Sequence, residues 1–380
     1  MKKKQQKILI SCSTAKSLLK FRGKLIEELL KNNTVYVFTP TVEDPKLKST
    51  LIEMGIKIYE NNLSRNTISV TSDLKYISAL SKVIREVKPD VFFAYTFKPL
   101  IFGSVVAALH NVKTKVAMLT GLGYNFADEE KNAAKTITQK LLKFSLGFNK
   151  NLRIIFHNDD DRKELLKRNI IGPNSKTYVV NGSGVDLNFY TYSKPEVNPV
   201  RFLLISRLIK AKGVEEFYEA ASILHEKYPD VKFSVVGTFD GKQIDSIHPD
   251  LHKQITTSNW IDYTGWVDDV RPFIQKSSVV VLPSYREGTP RSILEGMSMG
   301  RAIITTDTAG CRQTVNNDQA LRNGHLIKVK SVTDIVAAME SYIKNPDDII
   351  QYGINGRAYA EEKYDVEKVN KDMLSILLPA

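Results

Sequence analysis

The stretch "SVVVLPSYREGTPRSILEGMSMGRAIITTD", residues 278–307, contains the patterns of a strand, a turn, a helix and a second strand. The apolar run before Pro283 predicts a fully buried strand, and "RAIITTD" predicts another. Between them, Thr289 and Pro290 predict a helix start, because threonine can cap a helix and proline suits its first position. A buried strand, a helix and another buried strand indicate a parallel sheet that is covered by helices.

The same alternation of short apolar strands and amphipathic helices extends over the rest of the chain. It predicts an α/β fold with two doubly wound, Rossmann-like parallel-sheet domains. In the first half the predicted strands are "KILIS" (7–11), "TVYVFTP" (34–40), "KIYEN" (57–61), "DVFFAYT" (90–96), "KVAMLTG" (115–121), "RIIFHN" (153–158) and "TYVVNG" (177–182). In the second half they are "RFLLIS" (201–206), "KFSVVG" (232–237), "IDYTGW" (261–266), "SVVVLP" (278–283) and "AIITTD" (302–307).

A proline-containing stretch without hydrophobic periodicity, residues 191–200, is predicted to be the linker between the domains. It separates a first domain, residues 1–190, from a second domain, residues 201–362. The remaining residues, 363–380, include a helix-like run, "VEKVNKDMLSILL" (366–378), that no strand follows. Because such sheets bind ligands beyond the carboxyl ends of their strands, we expect the two domains to face a cleft.

The composition is that of a globular protein, with 380 residues, 42% hydrophobic and 25% charged. No apolar stretch reaches the roughly 20 residues that a membrane-spanning helix needs. The apolar run near the amino terminus is too short for a signal peptide, and we therefore expect a cytoplasmic protein. Cys12 and Cys311 lie far apart in the sequence, which favours neither a disulfide framework nor a zinc site.

The net charge of +12 is unevenly distributed, because the first 200 residues are basic and the rest are slightly acidic. A basic half predicts contact with nucleic acid, an anionic membrane face or a phosphorylated substrate, although solubility alone also accounts for it. The stretch from Lys16 to Lys31 has the composition of a helix that can lie at a membrane interface. The alternative is an ordinary helix that covers the sheet and has a solvated basic face. The interface interpretation predicts that Lys16, Lys20 and Lys24 contact anionic lipid.

Two pairs of charged residues in the second half predict a ligand site. Glu287 follows a buried strand, and Glu295 lies one to two turns into the next helix, so both can accept bonds from paired hydroxyls of one ligand. The amino end of that helix favours a phosphate. Arg207 follows the first strand of this half, and Lys212 precedes Gly213 before a helix; two such cations suit a diphosphate. The alternative to a ligand site is that these two glutamates and two cations are ordinary charged residues exposed on the surface.

These residues carry a resemblance. "SRLIKAKG", "GTFDG", "YTGWVDDV" and "PSYREGTPRSILEGMSMGRAIITTD" resemble the donor-binding half of the retaining glycosyltransferases of family 4, which have the GT-B fold. "YTFKPLIFGSVVAAL", "TGLGYNF", "FHNDDDR" and "NGSGVDLNFY" are similar to the branch that adds an N-acetylhexosamine to undecaprenyl-diphosphate-linked bacillosamine- or fucosamine-type sugars. The resemblance implies a UDP-sugar donor, with a sugar of the N-acetylgalactosamine type, in the assembly of a bacterial surface polysaccharide or glycan. It also implies an enzyme on the inner face of the cell membrane.

The resemblance implies a role for each charged residue of the second half. Arg207 and Lys212 would hold the donor diphosphate, Glu287 would contact the hydroxyls of the donor sugar, and Glu295 would contact the ribose. The other residues implied in donor binding are Gly237, Tyr263, Thr264, Gly265, Trp266, Gly288, Thr289, Pro290 and Arg291. The backbone from Tyr263 to Trp266 would flank the uracil. The family also has a final helix that crosses back to the first domain.

The first half departs from the family in two loops, and both are predicted to bind the acceptor. The loop "SCSTAKSLLKFRG" lacks the family's Gly-Gly pair but offers hydroxyls and lysines near a helix start; the alternative is an ordinary capped helix. The loop "MLTGLGYNF" lacks the histidine of the family's T-x-H-G pattern, and its glycines are expected to bring backbone near the reacting centre. The predicted acceptor-binding residues are Ser13, Thr14, Lys16, Lys20, Thr120, Gly121, Gly123 and Tyr124.

No metal and no cofactor is expected. "NDDDR" (158–162) contains a D-x-D pattern, but it lies at a strand-to-helix junction where Asn158 or Asp159 suffices as a cap. Two other functions remain open: a UDP-sugar 2-epimerase of the same architecture, and a family 4 transferase with a different sugar and a soluble acceptor. A nucleic-acid-binding protein is not favoured, because the aromatic residues form no stacking platform among the basic ones.

Overall fold

The computed structural model describes residues 5–63, 70–126, 133–149, 151–241, 245–316 and 318–378. The chain divides into two compact units. The first unit consists of residues 1–183 and 368–380, and the second consists of residues 184–367. Each unit is built around one parallel sheet, as the sequence predicts.

The first unit contains a seven-stranded sheet whose order is β3-β2-β1-β4-β5-β6-β7. The strands are β1 (Lys7–Ser11), β2 (Thr34–Pro40), β3 (Lys57–Asn61), β4 (Val91–Tyr95), β5 (Thr114–Leu119), β6 (Arg153–Phe156) and β7 (Lys176–Val179). The helices are α1 (Lys16–Leu30), α2 (Pro45–Glu53), α3 (Val70–Val87), α4 (Phe97–Leu109), α5 (Ala133–Phe148) and α6 (Asp159–Lys167), and a short 3-10 turn spans Gly123–Phe126. Apolar side chains cover both faces of this sheet.

The second unit contains a six-stranded sheet whose order is β10-β9-β8-β11-β12-β13. The strands are β8 (Arg201–Ile205), β9 (Lys232–Val236), β10 (Ile261–Gly265), β11 (Val279–Leu282), β12 (Ala302–Thr306) and β13 (Gly324–Ile327). The helices are α7 (Val214–Lys227), α8 (Pro249–Thr257), α9 (Arg271–Lys276), α10 (Arg291–Ser298), α11 (Val332–Lys344) and α12 (Pro346–Tyr359). The order reverses between β8 and β11, and such a switch point is where ligands bind in open sheets.

The segment predicted as a linker is packed on the second unit, which moves the boundary from residue 190 to residue 183. The backbone N–H of Ser193 donates to the Met299 carbonyl at 3.2 Å. The buried guanidinium of Arg301 donates to both the carbonyl and the hydroxyl of Ser193. The Ser278 hydroxyl donates to the Glu196 carbonyl at 2.6 Å. Residues 191–200 are therefore part of the second unit, although they belong to no helix or strand.

The last helix, α13 (Val366–Leu377), packs into the core of the first unit from Lys368 onward. Val369, Met373 and Ile376 are buried in one cluster with the residues of β1 and β4. The guanidinium of Arg153 also donates to the Ile376 carbonyl at 2.5 Å. None of the helices in the described part of the chain has the length and hydropathy that crossing a membrane requires.

Candidate functional site

Glu287 is held at the carboxyl end of β11 by bonds to its side chain and its backbone. Its carboxylate accepts a hydrogen bond from the buried Ser284 hydroxyl at 2.8 Å and forms an ion pair with Lys212. Its N–H donates to the Ala309 carbonyl at 3.1 Å. Gly310 has φ +77°, and a Cβ there would lie 2.3 Å from the Glu287 carbonyl oxygen. The loop that carries this carboxylate is therefore fixed before any ligand binds.

Lys212 reaches Glu287 because the turn after β8 lies directly against the loop after β11. The Tyr285 N–H donates to the Ala211 carbonyl at 2.9 Å. Gly213 ends the turn with φ +68°, and a Cβ there would lie 2.2 Å from the Pro283 carbonyl oxygen. The side chains of Lys212 and Glu287 keep 20% and 14% of their surface exposed, so a ligand can still reach both.

Glu295 lies in the second turn of α10 and is 5% exposed. Its Oε1 accepts bonds from the Arg291 Nε at 2.7 Å and from the Tyr190 hydroxyl at 2.8 Å. Burial and the nearby Glu295 carboxylate raise the pKa of Tyr190, which stays a neutral donor. Burial alone would lower the pKa of Arg291, but Glu295 outweighs it and raises that pKa. The ribose-binding residue expected from the sequence is therefore a buried, oriented carboxylate.

Tyr190 is the member of this group that sequence reasoning misses. It precedes Glu295 by 105 residues, and no local pattern connects the two. The signal that could have found it is the aromatic end of "NGSGVDLNFY", which is part of the resemblance described above.

The predicted start of α10 needs a correction. Pro290, not Thr289, is the cap residue, and its backbone is extended, with φ −73° and ψ 112°. The Thr289 hydroxyl donates instead to the Gly288 carbonyl at 2.9 Å. The Leu294 N–H donates to the Pro290 carbonyl, so helical bonding begins one residue later than predicted. The φ of proline is fixed but is compatible with an extended as well as a helical backbone.

The remaining donor-binding candidates lie at the carboxyl ends of the neighbouring strands. Arg207 is exposed just beyond β8. At the end of β9, the Gly237 N–H donates to the Gly265 carbonyl at 2.7 Å, and the Gly237 carbonyl accepts from the Tyr263 hydroxyl at 3.1 Å. Thr264 is exposed, and the side chain of Trp266 is 61% exposed.

The strand order places these groups side by side along one edge of the second sheet. From β10 to β11 the edge carries the exposed ring of Trp266, the cation Arg207, the Lys212–Glu287 pair and the amino end of α10. The first amides of a helix have no acceptor within the helix and favour an anion. An aromatic group, cations and two oriented carboxylates match the chemistry of a base, a diphosphate and the hydroxyls of two sugars.

The acceptor-binding candidates lie beyond β1 and β5 of the first unit. Lys16 and Lys20 are exposed on α1, Ser13 is 8% exposed, and Thr14 is half-buried. The α1 cap position is occupied by Ala15, which makes no side-chain cap, so this is not the ordinary capped helix of the alternative interpretation.

The loop after β5 is held by Asp161 at the start of α6. Thr120 and Gly121 follow the strand, Gly123 has φ +51°, and Tyr124 lies in the 3-10 turn. The Leu122 N–H donates to the Asp161 carboxylate at 3.2 Å. This contact fixes the loop that the sequence assigns to the acceptor.

The aspartates of the D-x-D pattern have structural partners. Asn158 caps α6 by accepting the Asp161 N–H at 2.7 Å, as the sequence predicts. Asp159 forms ion pairs with Arg162 and Lys163, which lower the pKa of its carboxyl group. Among the described residues, no group of three or more His, Cys, Asp or Glu side chains is arranged to hold a metal ion.

Two family models match the chain. The model described as "Glycosyl transferases group 1" matches residues 199–345, and the one described as "Glycosyl transferase 4-like" matches residues 7–158. The donor-binding residues predicted from the sequence lie within the first match, Tyr190 lies before it, and the candidate acceptor loops lie within the second.

Curated relatives match most of the chain. The N,N'-diacetylbacillosaminyl-diphospho-undecaprenol alpha-1,3-N-acetylgalactosaminyltransferase of Campylobacter jejuni is 27% identical, over 84% of each chain. The UDP-Gal:alpha-D-GlcNAc-diphosphoundecaprenol alpha-1,3-galactosyltransferase of Escherichia coli is 26% identical, over 82% of this chain and 81% of the relative. CapM of Staphylococcus aureus, a capsular polysaccharide biosynthesis glycosyltransferase, is 22% identical over 98% of this chain and 97% of its own.

Solved structures share the fold over almost the full length. Anabaena Alr3699/HepE, solved in complex with UDP and glucose, superposes with a TM-score of 0.76 at 18% identity, covering 99% of this chain and 100% of its own. WaaG, a glycosyltransferase involved in lipopolysaccharide biosynthesis, has a TM-score of 0.73 at 13% identity, covering 98% and 100%.

Proposed function

We propose that this chain, a glycosyltransferase of the GT-B fold, moves an N-acetylhexosamine from a UDP-sugar to an undecaprenyl-diphosphate-linked amino sugar. The sugar is of the N-acetylgalactosamine type, and the product serves a bacterial surface polysaccharide or glycan. The observation that carries the proposal is the pair of oriented carboxylates on either side of the β11–α10 turn, one paired with Lys212 and the other bonded to Tyr190 and Arg291. Relatives whose names specify undecaprenol-linked acceptors support it.

Each part of the donor has a proposed partner. Lys212, Arg207 and the amino end of α10 hold the diphosphate, because cations and the amino end of a helix stabilise phosphate charge. Glu287 binds hydroxyls of the donor sugar, and Glu295 binds the ribose. The uracil lies against the backbone from Tyr263 to Trp266. UDP-sugar is the substrate, and no cofactor takes part.

We propose front-face substitution with retention of configuration. The bond from the anomeric carbon to the phosphate oxygen breaks while the acceptor oxygen forms its bond on the same face. The departing phosphate oxygen takes the proton of the acceptor hydroxyl, and Lys212 and Arg207 stabilise its negative charge. A covalent intermediate on Glu287 is disfavoured, because the carboxylate is already bound by Lys212 and Ser284, which reduces its nucleophilicity.

The acceptor binds the loops after β1 and β5 of the first unit, and the enzyme works on the inner face of the cell membrane. Ser13, Thr14, Lys16 and Lys20 are proposed to contact the acceptor diphosphate. Gly121 and Gly123 are proposed to bring backbone amides toward the reacting centre, where family members have a histidine. An undecaprenyl chain stays in the membrane, so the enzyme has to come to the membrane surface.

The test is incubation of the purified protein with a panel of UDP-sugars and an undecaprenyl-diphosphate-linked amino sugar, followed by mass analysis of the lipid product. We expect a product that is heavier by one N-acetylhexosamine. Transfer only to soluble sugars would contradict the acceptor. An isomerised UDP-sugar formed without any acceptor would instead identify a 2-epimerase.

A further inference from the structure

Helix α5 of the first unit exposes a continuous apolar stripe. Ile137, Phe144 and Phe148 are 46%, 59% and 46% exposed, and Leu141 between them is half-buried. Their spacing of four, three and four residues places them on one face of a helix. The rings of Phe144 and Phe148 lie 5.6 Å apart and so form one surface. The opposite face of α5, with Leu142 and others, is buried in the core of the unit.

The apolar stripe is bordered by positive charge. Lys140 and Lys143 are exposed on α5, whereas Lys135 is buried on the core side. No aspartate or glutamate occurs between Ala133 and Phe148. The exposed surface of α5 is therefore apolar along its middle and cationic along one border.

Helix α1, one of whose two interpretations from the sequence is an interfacial helix, does not present such a surface. Its apolar residues Leu18, Leu25, Ile26 and Leu29 are buried, and Phe21 is only 39% exposed. Arg22, one of its cations, is 4% exposed and donates to the Met118 sulfur. Lys24 and Lys31 pair with Glu27 and Glu28 on the solvent side. The apolar face of this helix is therefore buried in the core of the first unit.

We propose that α5 is the helix by which the first unit docks on an anionic bilayer surface, with Phe144 and Phe148 inserted among the lipids and Lys140 and Lys143 near the headgroups. The proposal rests on the proposed function in one respect, namely that a lipid-linked acceptor keeps the enzyme at a membrane. An anionic bilayer complements both parts of the surface, since it offers apolar chains below negative headgroups. A second copy of this α5 complements only the apolar part, because the helix carries no aspartate or glutamate that could pair with the lysines.

The experiment is co-flotation of the full chain with vesicles of phosphatidylglycerol and phosphatidylcholine, compared with vesicles of phosphatidylcholine alone. We expect Phe144→Ser with Phe148→Ser to lower partitioning at least about ten-fold, from the apolar area that no longer enters the lipid. Lys140→Gln with Lys143→Gln is expected to lower it roughly five-fold per lysine on the anionic vesicles only.

The matched control is Ile223→Ser with Ile354→Ser in the second unit, which removes two side chains that are 49% and 46% exposed. It is expected to leave vesicle binding unchanged. Equal losses for the control and the α5 variants, or no loss for the α5 variants, would overturn the proposal. The proposal would also be overturned if the wild type sedimented as a dimer, the Phe144→Ser, Phe148→Ser variant sedimented as a monomer, and both bound vesicles equally. That result would assign the stripe to contact with a second copy of the chain.

Kinetics separate this inference from the proposed function. The Phe144→Ser, Phe148→Ser variant is expected to raise the apparent KM for acceptor in vesicles, while kcat/KM with a short-chain, water-soluble acceptor stays at the wild-type value. If vesicle binding depends on α5 but the protein glycosylates no lipid-linked sugar, the proposed function is wrong and the inference about α5 stands. If the protein glycosylates the lipid-linked sugar but the α5 variants bind vesicles normally, the proposed function stands and the inference about α5 is wrong.

Discussion

At the scale of single residues, the Lys212–Glu287 ion pair decides how the donor site is charged before the donor arrives. Under the proposed function, the diphosphate competes with Glu287 for Lys212, so the carboxylate positions the ammonium group and the phosphate then shares it. We expect Lys212→Ala to cost on the order of 2–4 kcal/mol of transition-state stabilisation, mostly in kcat. Arg207→Ala is expected to act in the same direction.

The matched control for these two variants is Lys210→Ala, which removes an exposed cation from the same turn. It should leave steady-state rates close to those of the wild type. Near-normal kcat values for both Lys212→Ala and Arg207→Ala would place the diphosphate elsewhere.

The two glutamates are expected to separate by role. Glu295→Ala should weaken the binding of UDP itself, because this residue is assigned to the ribose. Glu287→Ala should leave UDP affinity almost unchanged and damage turnover and the choice of sugar. Titration calorimetry with UDP on both variants measures the difference, and equal losses of UDP affinity would contradict the assignment.

Tyr190 is expected to act as a positioning residue for Glu295. Tyr190→Phe removes one hydrogen bond to a buried carboxylate and should cost about 1 kcal/mol of UDP affinity, with little change in kcat at saturating donor. Tyr192→Phe, in the same segment but 42% exposed, is the control. In a double-mutant cycle with Glu295→Ala the Tyr190 effect should vanish, since the hydroxyl then has no carboxylate to orient. Additive losses would separate the two residues.

At the scale of elements, the stretch from β11 to β12 could be predicted because its signals are local. The apolar runs, the Gly-Thr-Pro turn and the two glutamates lie within 30 residues of one another. The cap of α10 could not be predicted, because the Thr289 hydroxyl donates to the Gly288 carbonyl instead of capping the helix. Strand β13, Gly324–Ile327, was also missed: its glycine and histidine weaken the apolar pattern. Its place in the sheet comes from pairing with β12.

The contact between the turn after β8 and the loop after β11 is expected to depend on Gly213. Gly213→Ala puts a Cβ against the Pro283 carbonyl at a positive φ, and should lower the free energy of unfolding of the second unit by at least about 1–3 kcal/mol. The variant should also lose turnover, because Lys212 is displaced from the position that its predicted effect on kcat requires.

Gly23→Ala is the control for this substitution. Gly23 lies inside α1, and a Cβ there meets nothing within 4 Å. This change should be neutral or should stabilise the protein, since alanine favours a helix interior. Denaturant unfolding of both variants checks the prediction, and a Gly213→Ala protein as stable as the wild type would contradict the close approach.

At the scale of the whole molecule, two doubly wound sheets follow from hydrophobic periodicity, but the boundary between the units does not. From the sequence, residues 184–200 are predicted to be the end of the first domain and a linker, because no local pattern indicates that they pack against the second unit. Their attachment to the second unit depends on partners distant in sequence: the Val185 N–H donates to the Tyr364 carbonyl, and Arg301 holds Ser193. Tyr190 belongs to the same segment, which is why the fold boundary and a site residue were missed together.

The distribution of charge over the molecule predicts that transfer needs no divalent metal. The donor diphosphate is assigned to Arg207, Lys212 and the amino end of α10, so its charge is met without an ion. Steady-state transfer measured with and without EDTA should give the same rate. Asp159→Asn is expected to leave that rate unchanged, because this carboxylate pairs with Arg162 and Lys163. Activity that EDTA abolishes and manganese restores would contradict this assignment, because the phosphate charge would then be carried by a metal that the protein cations were expected to replace.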